Sequence, residues 1–131
     1  MNNWTLRDIT AEAAAAACRM PAETLATWTH RYKAPSGKRR GSRLYSLQDL
    51  TILQTARRLL SPGILAKTAL DIAAPLLDDP PGYDATLFVT DDTAFISSRD
   101  DFPECNFTAI NVGWVAHDLS KRLEAANGQT A

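Results

Sequence analysis

The chain has 131 residues, 45% of them hydrophobic, and a formal net charge of −1. That length holds one ordinary domain or a small domain with an appendage, and the apolar content excludes wholesale disorder. No apolar run approaches the roughly 18–20 residues that span a bilayer, and the N-terminus lacks a basic segment followed by an apolar stretch, so no membrane span or secretory signal is expected and the cytoplasm is the expected location.

The net charge conceals a division. Residues 1–60 carry ten Lys/Arg against four Asp/Glu, a net of +6, and residues 61–131 carry four against eleven, a net of −7. A basic half suited to a polyanion is joined to an acidic half kept away from it.

Thr5-Leu-Arg-Asp8 has the form of a capping box and predicts a helix start. Ala13 to Ala17 follow with the highest helix propensity available. Cys18-Arg-Met20 interrupts, and Pro21 suits the first turn of a second helix. In that helix Leu25, Trp28 and Tyr32 share one face, while Glu23, Thr27, His30 and Arg31 lie away from it. Two short helices joined by a three-residue break form a helix-turn-helix candidate. Pro35-Ser36-Gly37 ends the second helix.

Lys38 to Arg43 is too polar and Gly-rich for core and predicts a hairpin or extended loop. Ser46 caps a third helix, with Asp49 completing the box. Its buried face is Leu47, Leu50, Ile52, Leu53, Ala56, Leu59 and Leu60. Ser61-Pro62-Gly63 breaks it, and a fourth helix is expected over about Ile64 to Leu77.

Asp78-Asp-Pro-Pro-Gly82 reads as a stiff boundary. The expected division is a DNA-binding domain over 1–77, a linker over 78–83, and an acidic oligomerisation region over 84–127. In the last, Thr86–Thr90 and Thr93–Ser97 predict a hairpin around Asp91-Asp92. Asn106 to Ile110 is a candidate third strand. Asn111 caps a final helix over about Val112 to Ala126, stopped by Asn127-Gly128. Its stripe is Val112, Val115, Ala116, Leu119 and Leu123. A two-stranded hairpin does not cover that stripe, so a symmetric dimer is expected to bury it. Phe88, Phe95, Phe102, Phe107 and Trp114 are expected to form a small core between hairpin and helix.

Several stretches resemble a known family. Thr24-Leu25 with Trp28 is similar to its recognition-helix pattern. Trp28-Thr-His-Arg-Tyr-Lys-Ala-Pro35 resembles its tryptophan-bearing branch. Arg43-Leu-Tyr-Ser-Leu-Gln-Asp-Leu50 matches its junction of wing and third helix, and Gly63 falls where it has a glycine between its last two helices. The family is the MerR group of winged helix-turn-helix proteins, and the likeness covers about residues 9–77. Arg19 and Ala26 depart from it, standing where the family has glycine and arginine. The tail departs too, with a Pro-Pro linker and hairpin in place of a long coiled-coil helix.

The expected fold is therefore mainly α with a little β: a winged helix-turn-helix of MerR type, then a β-hairpin and a C-terminal dimerisation helix. The resemblance implies a sequence-specific transcriptional regulator, acting as a homodimer on a palindromic promoter site. Its partners would be double-stranded DNA and a second copy of itself, with RNA polymerase a further candidate. The size and tail look similar to small phage- or mobile-element-encoded regulators. Two other readings stay open: an excisionase-like architectural DNA bender, and an antitoxin-like protein-interaction module.

The expected DNA contacts are Thr27, His30 and Arg31 on the second helix, with Lys33, Lys38, Arg39, Arg40 and Arg43 in the basic stretch. Guanidinium forks match phosphate and guanine edges. Tyr45 is the family's wing tyrosine by position, for which phosphate contact and packing are both open.

No catalytic residue, cofactor or metal site is expected. The Asp78-Asp79, Asp91-Asp92 and Asp100-Asp101 pairs suit turns and a linker. His30 and His117, the only histidines, have no nearby nucleophile pattern. Cys18 and Cys105 sit in no metal-ligand spacing and read as free thiols.

Overall fold

The computed structural model describes residues 3–130, and side chains as far as Ala126. Met1 and Asn2, at the head of the expected first domain, lie outside the described residues. The order is β1 (Ile9–Thr10), α1 (Ala11–Ala17), α2 (Ala22–His30), β2 (Gly37–Arg39), β3 (Ser42–Tyr45), α3 (Leu47–Leu59), α4 (Ala66–Leu76), β4 (Ala85–Val89), β5 (Ala94–Ser98), β6 (Thr108–Ile110) and α5 (Val112–Thr130). Two antiparallel three-stranded sheets, ordered β1-β3-β2 and β5-β4-β6, make the fold more mixed than mainly α.

The first helix starts later than Thr5–Asp8 implies. Thr10 is its N-cap, accepting from the Ala13 amide at 3.2 Å. Residues 9 and 10 pair instead with Tyr45 and Leu44. A strand pairing outranks a capping sequence whose helix it would interrupt. Arg7 from that stretch turns onto α3, where Nε and Nη2 reach the two oxygens of Asp49 at 2.9 and 3.2 Å.

The capping box of α3 forms as its sequence implies. Asp49 N donates to Ser46 Oγ at 3.0 Å, and Ser46 N donates to Asp49 Oδ2 at 2.9 Å. The fourth helix begins at Ala66, two residues after its expected start, because Ser61 and Ile64 close a small bridge. Strand β6 pairs with β4, not with β5.

The main correction concerns the last helix. Val112, Val115, Ala116 and Leu119 are all buried inside the single chain, and Leu123 packs partly against the same core. They share that core with Ala14, Leu50, Leu53, Ala56 and Leu59 of the basic half. A stripe read from sequence does not name its partner, and here the partner is this chain's own α1 and α3. Fully burying Val112, Val115 and Leu119 is worth about 1.5–3 kcal/mol each, so exposing them to reach a second copy is disfavoured. They are not a free dimerisation surface.

The expected linker is part of the same body. Trp4 Nε1 donates to the Asp78 carbonyl at 3.1 Å, and Gln48 Nε2 to the Leu77 carbonyl at 3.0 Å. Gly113 lies so close to the 82–83 backbone that a Cβ there would sit 1.9 Å from the Gly82 oxygen. Helix α5 also runs through Asn127-Gly128 to Thr130. One glycine costs a helix only about 1 kcal/mol, and neither Gln129 nor Thr130 is a helix breaker.

The phenylalanines do not lie under α5. Along β4, Leu87 faces the main core while Phe88 faces the other side of the sheet, as the two-residue repeat of a strand requires. Phe88 meets Phe95 and Phe107 there, each with ring centroids 5.5 Å away. Phe102 stacks outside them and stays exposed. Trp114 is elsewhere, beneath Arg58.

Candidate nucleic-acid interface

Helices α1 and α2 are joined by Cys18-Arg19-Met20, closed by amide bonds from Cys18 to Ala14, Arg19 to Ala16 and Met20 to Ala15. Arg19 has φ +52°, the left-handed region where a side chain is normally disfavoured. Pro21 then opens α2, and its carbonyl accepts from Thr24 and Leu25.

Helix α2 buries Leu25, Trp28 and Thr29, while Glu23, Ala26, Thr27 and His30 are exposed on it. Thr27 Oγ1 donates back to the Glu23 carbonyl at 3.0 Å and keeps its lone pairs outward. The helix stops at His30, so Arg31 is its C-cap and Lys33 lies beyond it at φ +63°. The sequence carries the helix face on to Tyr32. The chain leaves earlier because the Ala34 amide turns back to the Trp28 carbonyl at 2.9 Å. Arg31 rests over the Tyr32 ring, 5.8 Å from its centroid.

The basic stretch is a hairpin. Lys38 faces Arg43 and Arg39 faces Ser42 across β2 and β3. Arg40 and Gly41 form the tip with φ +51° and +84°, the requirement of a two-residue type I′ turn. The turn places Arg40 at the apex. Lys38 opposite Arg43 puts like charges on one face, an unfavourable pair for the free chain and a favourable one for an anion.

Lys33, Lys38, Arg39 and Arg40 are exposed and, among the described residues, in no ion pair. Arg43 is half-buried and donates to Ser36 Oγ at 3.2 Å. Tyr45 is buried, with its hydroxyl 2.7 Å from Thr29 Oγ1. Of its two open roles it takes packing, and it presents no surface to a phosphate.

Two residues beside these were missed. Glu23 shares the exposed face of α2 with Thr27. Arg7 lies over the base of the hairpin, where a Cβ on Gly37 would meet its Cδ at 2.7 Å. The first is legible from its spacing four residues before Thr27. The second depends on the β1–β3 pairing and has no local signal.

Residues 9–73 match the family model described as MerR HTH family regulatory protein. This segment is of MerR helix-turn-helix type. Such a segment implies a DNA-binding transcription regulator. Neither the curated proteins nor the solved structures contain a match to the chain. The MerR segment ends within α4, so β4 to α5 lie wholly outside it. The departure at Arg19 now has a physical setting, since that residue occupies a backbone conformation suited to the family's glycine. No helix among the described residues is long and apolar enough to cross a membrane.

Proposed function

We propose that the protein is a sequence-specific, cytoplasmic transcriptional regulator that sets α2 in the major groove and the β2–β3 hairpin on the flanking phosphates. The observation that carries this reading is the joint display of Thr27 and His30 on the exposed face of α2 and of unpaired Lys38, Arg39 and Arg40 on a hairpin bonded to that helix. Phosphate contacts supply position and salt-dependent affinity, and base-edge contacts supply sequence preference. Thr27 and His30 offer hydroxyl and imidazole groups to base edges, and Glu23 can accept from a cytosine amino group. Arg31 and Lys33 leave the helix end toward the backbone. Arg43 braces the hairpin through Ser36 and contributes charge from behind the tip.

A short recognition helix reads few base pairs, so two copies on a palindrome are the economical source of specificity. Because the stripe of α5 is buried, the second copy docks through another surface. That same burial favours a second reading, in which single copies line up on repeated sites and bend DNA as architectural proteins do. Selection of bound duplexes from a random library, followed by footprinting, tests both. One inverted repeat supports the paired regulator, and direct repeats filled one copy at a time support the bender. Failure to enrich any motif over random duplex would overturn sequence-specific binding.

A further inference from the structure

We propose that the cavity between the α1–α2 turn, the end of α3 and the inner face of α5 is a binding site for a small multivalent oxyanion of phosphate or carboxylate type. The cavity has a volume of about 450 Å³ and opens to solvent. Arg19, Arg57, Arg58 and Arg122 line it, and Asp118 is the one carboxylate among its lining residues. Four guanidiniums that never deprotonate thus meet a single negative charge, which Arg122 already engages.

The ordinary role of arginines at the end of a helix is to complement its dipole, and Arg57 and Arg58 are in the last turn of α3. That dipole amounts to roughly half a charge, so it leaves most of this charge unanswered. Arg19 and Arg57 have no ion pair among the described residues. Among the described residues Arg57 bonds only Gln54 Oε1, at 3.2 Å, and the buried Nε of Arg122 has no partner. Arg58 lies 5.6 Å above the Trp114 ring and donates to Asn111 Oδ1 at 3.3 Å, which holds its planar fork in place.

The walls are fixed before any ligand arrives. Arg122 Nη1 donates to the Ala17 carbonyl at 2.7 Å, and Gln54 Nε2 to the Cys18 carbonyl at 3.1 Å. Preorganised charge-assisted donors lose little freedom on binding. None of the hairpin cations lines the cavity, and its concave form suits a small molecule better than a duplex backbone. The site does not depend on the DNA-binding reading. It would tie the turn before the recognition helix to α5.

The test uses inorganic pyrophosphate and citrate at constant ionic strength, with binding followed by Trp114 emission and by melting temperature. A saturable emission change that Trp114→Phe abolishes, with a raised melting temperature, supports the site. Arg57→Gln should weaken binding about tenfold or more, the scale of one lost charged hydrogen bond. Arg19→Gly should weaken binding too, and it keeps the fold because glycine is at ease at that φ. The hairpin variant Arg39→Gln/Arg40→Gln should bind the anions as the parent does. A response equal to that of added chloride, or equal weakening by the hairpin variant, would overturn the proposal. So would loss of DNA affinity in Arg57→Gln without any pyrophosphate binding, which would assign the cavity to DNA phosphate.

Discussion

Tyr45 at the end of the hairpin is bolted to Thr29 on the buried side of α2. The two hydroxyl oxygens are 2.7 Å apart, and Thr29 Oγ1 donates onward to the Leu25 carbonyl at 2.9 Å. This chain of hydrogen bonds joins the hairpin to α2, the two elements proposed above to meet DNA. Tyr45→Phe removes the junction while Thr29 keeps its carbonyl partner. The expected loss is about 1 kcal/mol of stability, read by urea denaturation, together with a several-fold fall in DNA affinity. Full affinity in that variant would show that the junction does not align the two elements.

Asp49 holds three things at once: the Ser46 amide, the Arg7 guanidinium and its own place in the first turn of α3. Its side chain is buried, whereas that of Arg7 is 45% exposed, so solvent screens the pair from one side. Asp49→Ala is expected to cost about 2–3 kcal/mol, combining a lost cap and a lost charged hydrogen bond. Arg7→Ala should cost less, since the cap survives it. Equal losses in the two variants would contradict this division.

Gly113 marks where α5 crosses the 82–83 backbone. An added Cβ meets only main-chain atoms, at 1.9 and 2.5 Å from the Gly82 and Tyr83 oxygens. Gly113→Ala therefore forces backbone apart and should destabilise the protein by about 1–3 kcal/mol or more. The helical propensity gain of alanine, about 1 kcal/mol, is too small to offset it. A melting temperature at or above that of the parent would refute the close crossing.

The two thiols should behave differently. Cys105 is exposed and Cys18 is buried. Burial pushes the Cys18 thiol up from 9.0 to about 12, against the pull of Arg57 and Arg122. A disulfide reagent should titrate one thiol in the native protein and two after denaturation. Above pH 9 the unfolded chain loses the Cys18 proton while the folded chain keeps it. Stability from this group is therefore full below pH 9 and falls as pH rises toward 12, by at most about 1.4 kcal/mol per unit. Cys18→Ala should show a shallower alkaline decline; identical declines would contradict the burial.

Local chemistry was legible wherever one segment decides the outcome. The Ser46–Asp49 box, the Pro21 start, the basic hairpin and the β4–β5 hairpin are all written within a few residues of chain. What failed to read was what each element meets. The Thr5–Asp8 pattern yields to a strand pairing with a distant segment, between Ile9 and Tyr45 on opposite sides of α2. Tyr45 turns inward because Thr29 waits for its hydroxyl. The valine-leucine stripe of α5 was visible, yet its burial on α1 and α3 depends on the chain folding back from Asp78. Charge division, +6 against −7, reads as two bodies; packing makes them one.

The central claim is that hairpin and α2 together grip duplex DNA. Its most direct measurement is the salt dependence of affinity for a selected duplex, in the parent and in Lys38→Ala/Arg39→Ala/Arg40→Ala. The three exposed cations are expected to carry about 0.9 log units of affinity per log unit of salt each. Their loss should flatten the slope by about 2–3 units and weaken binding at low salt. An unchanged slope and affinity would contradict the account.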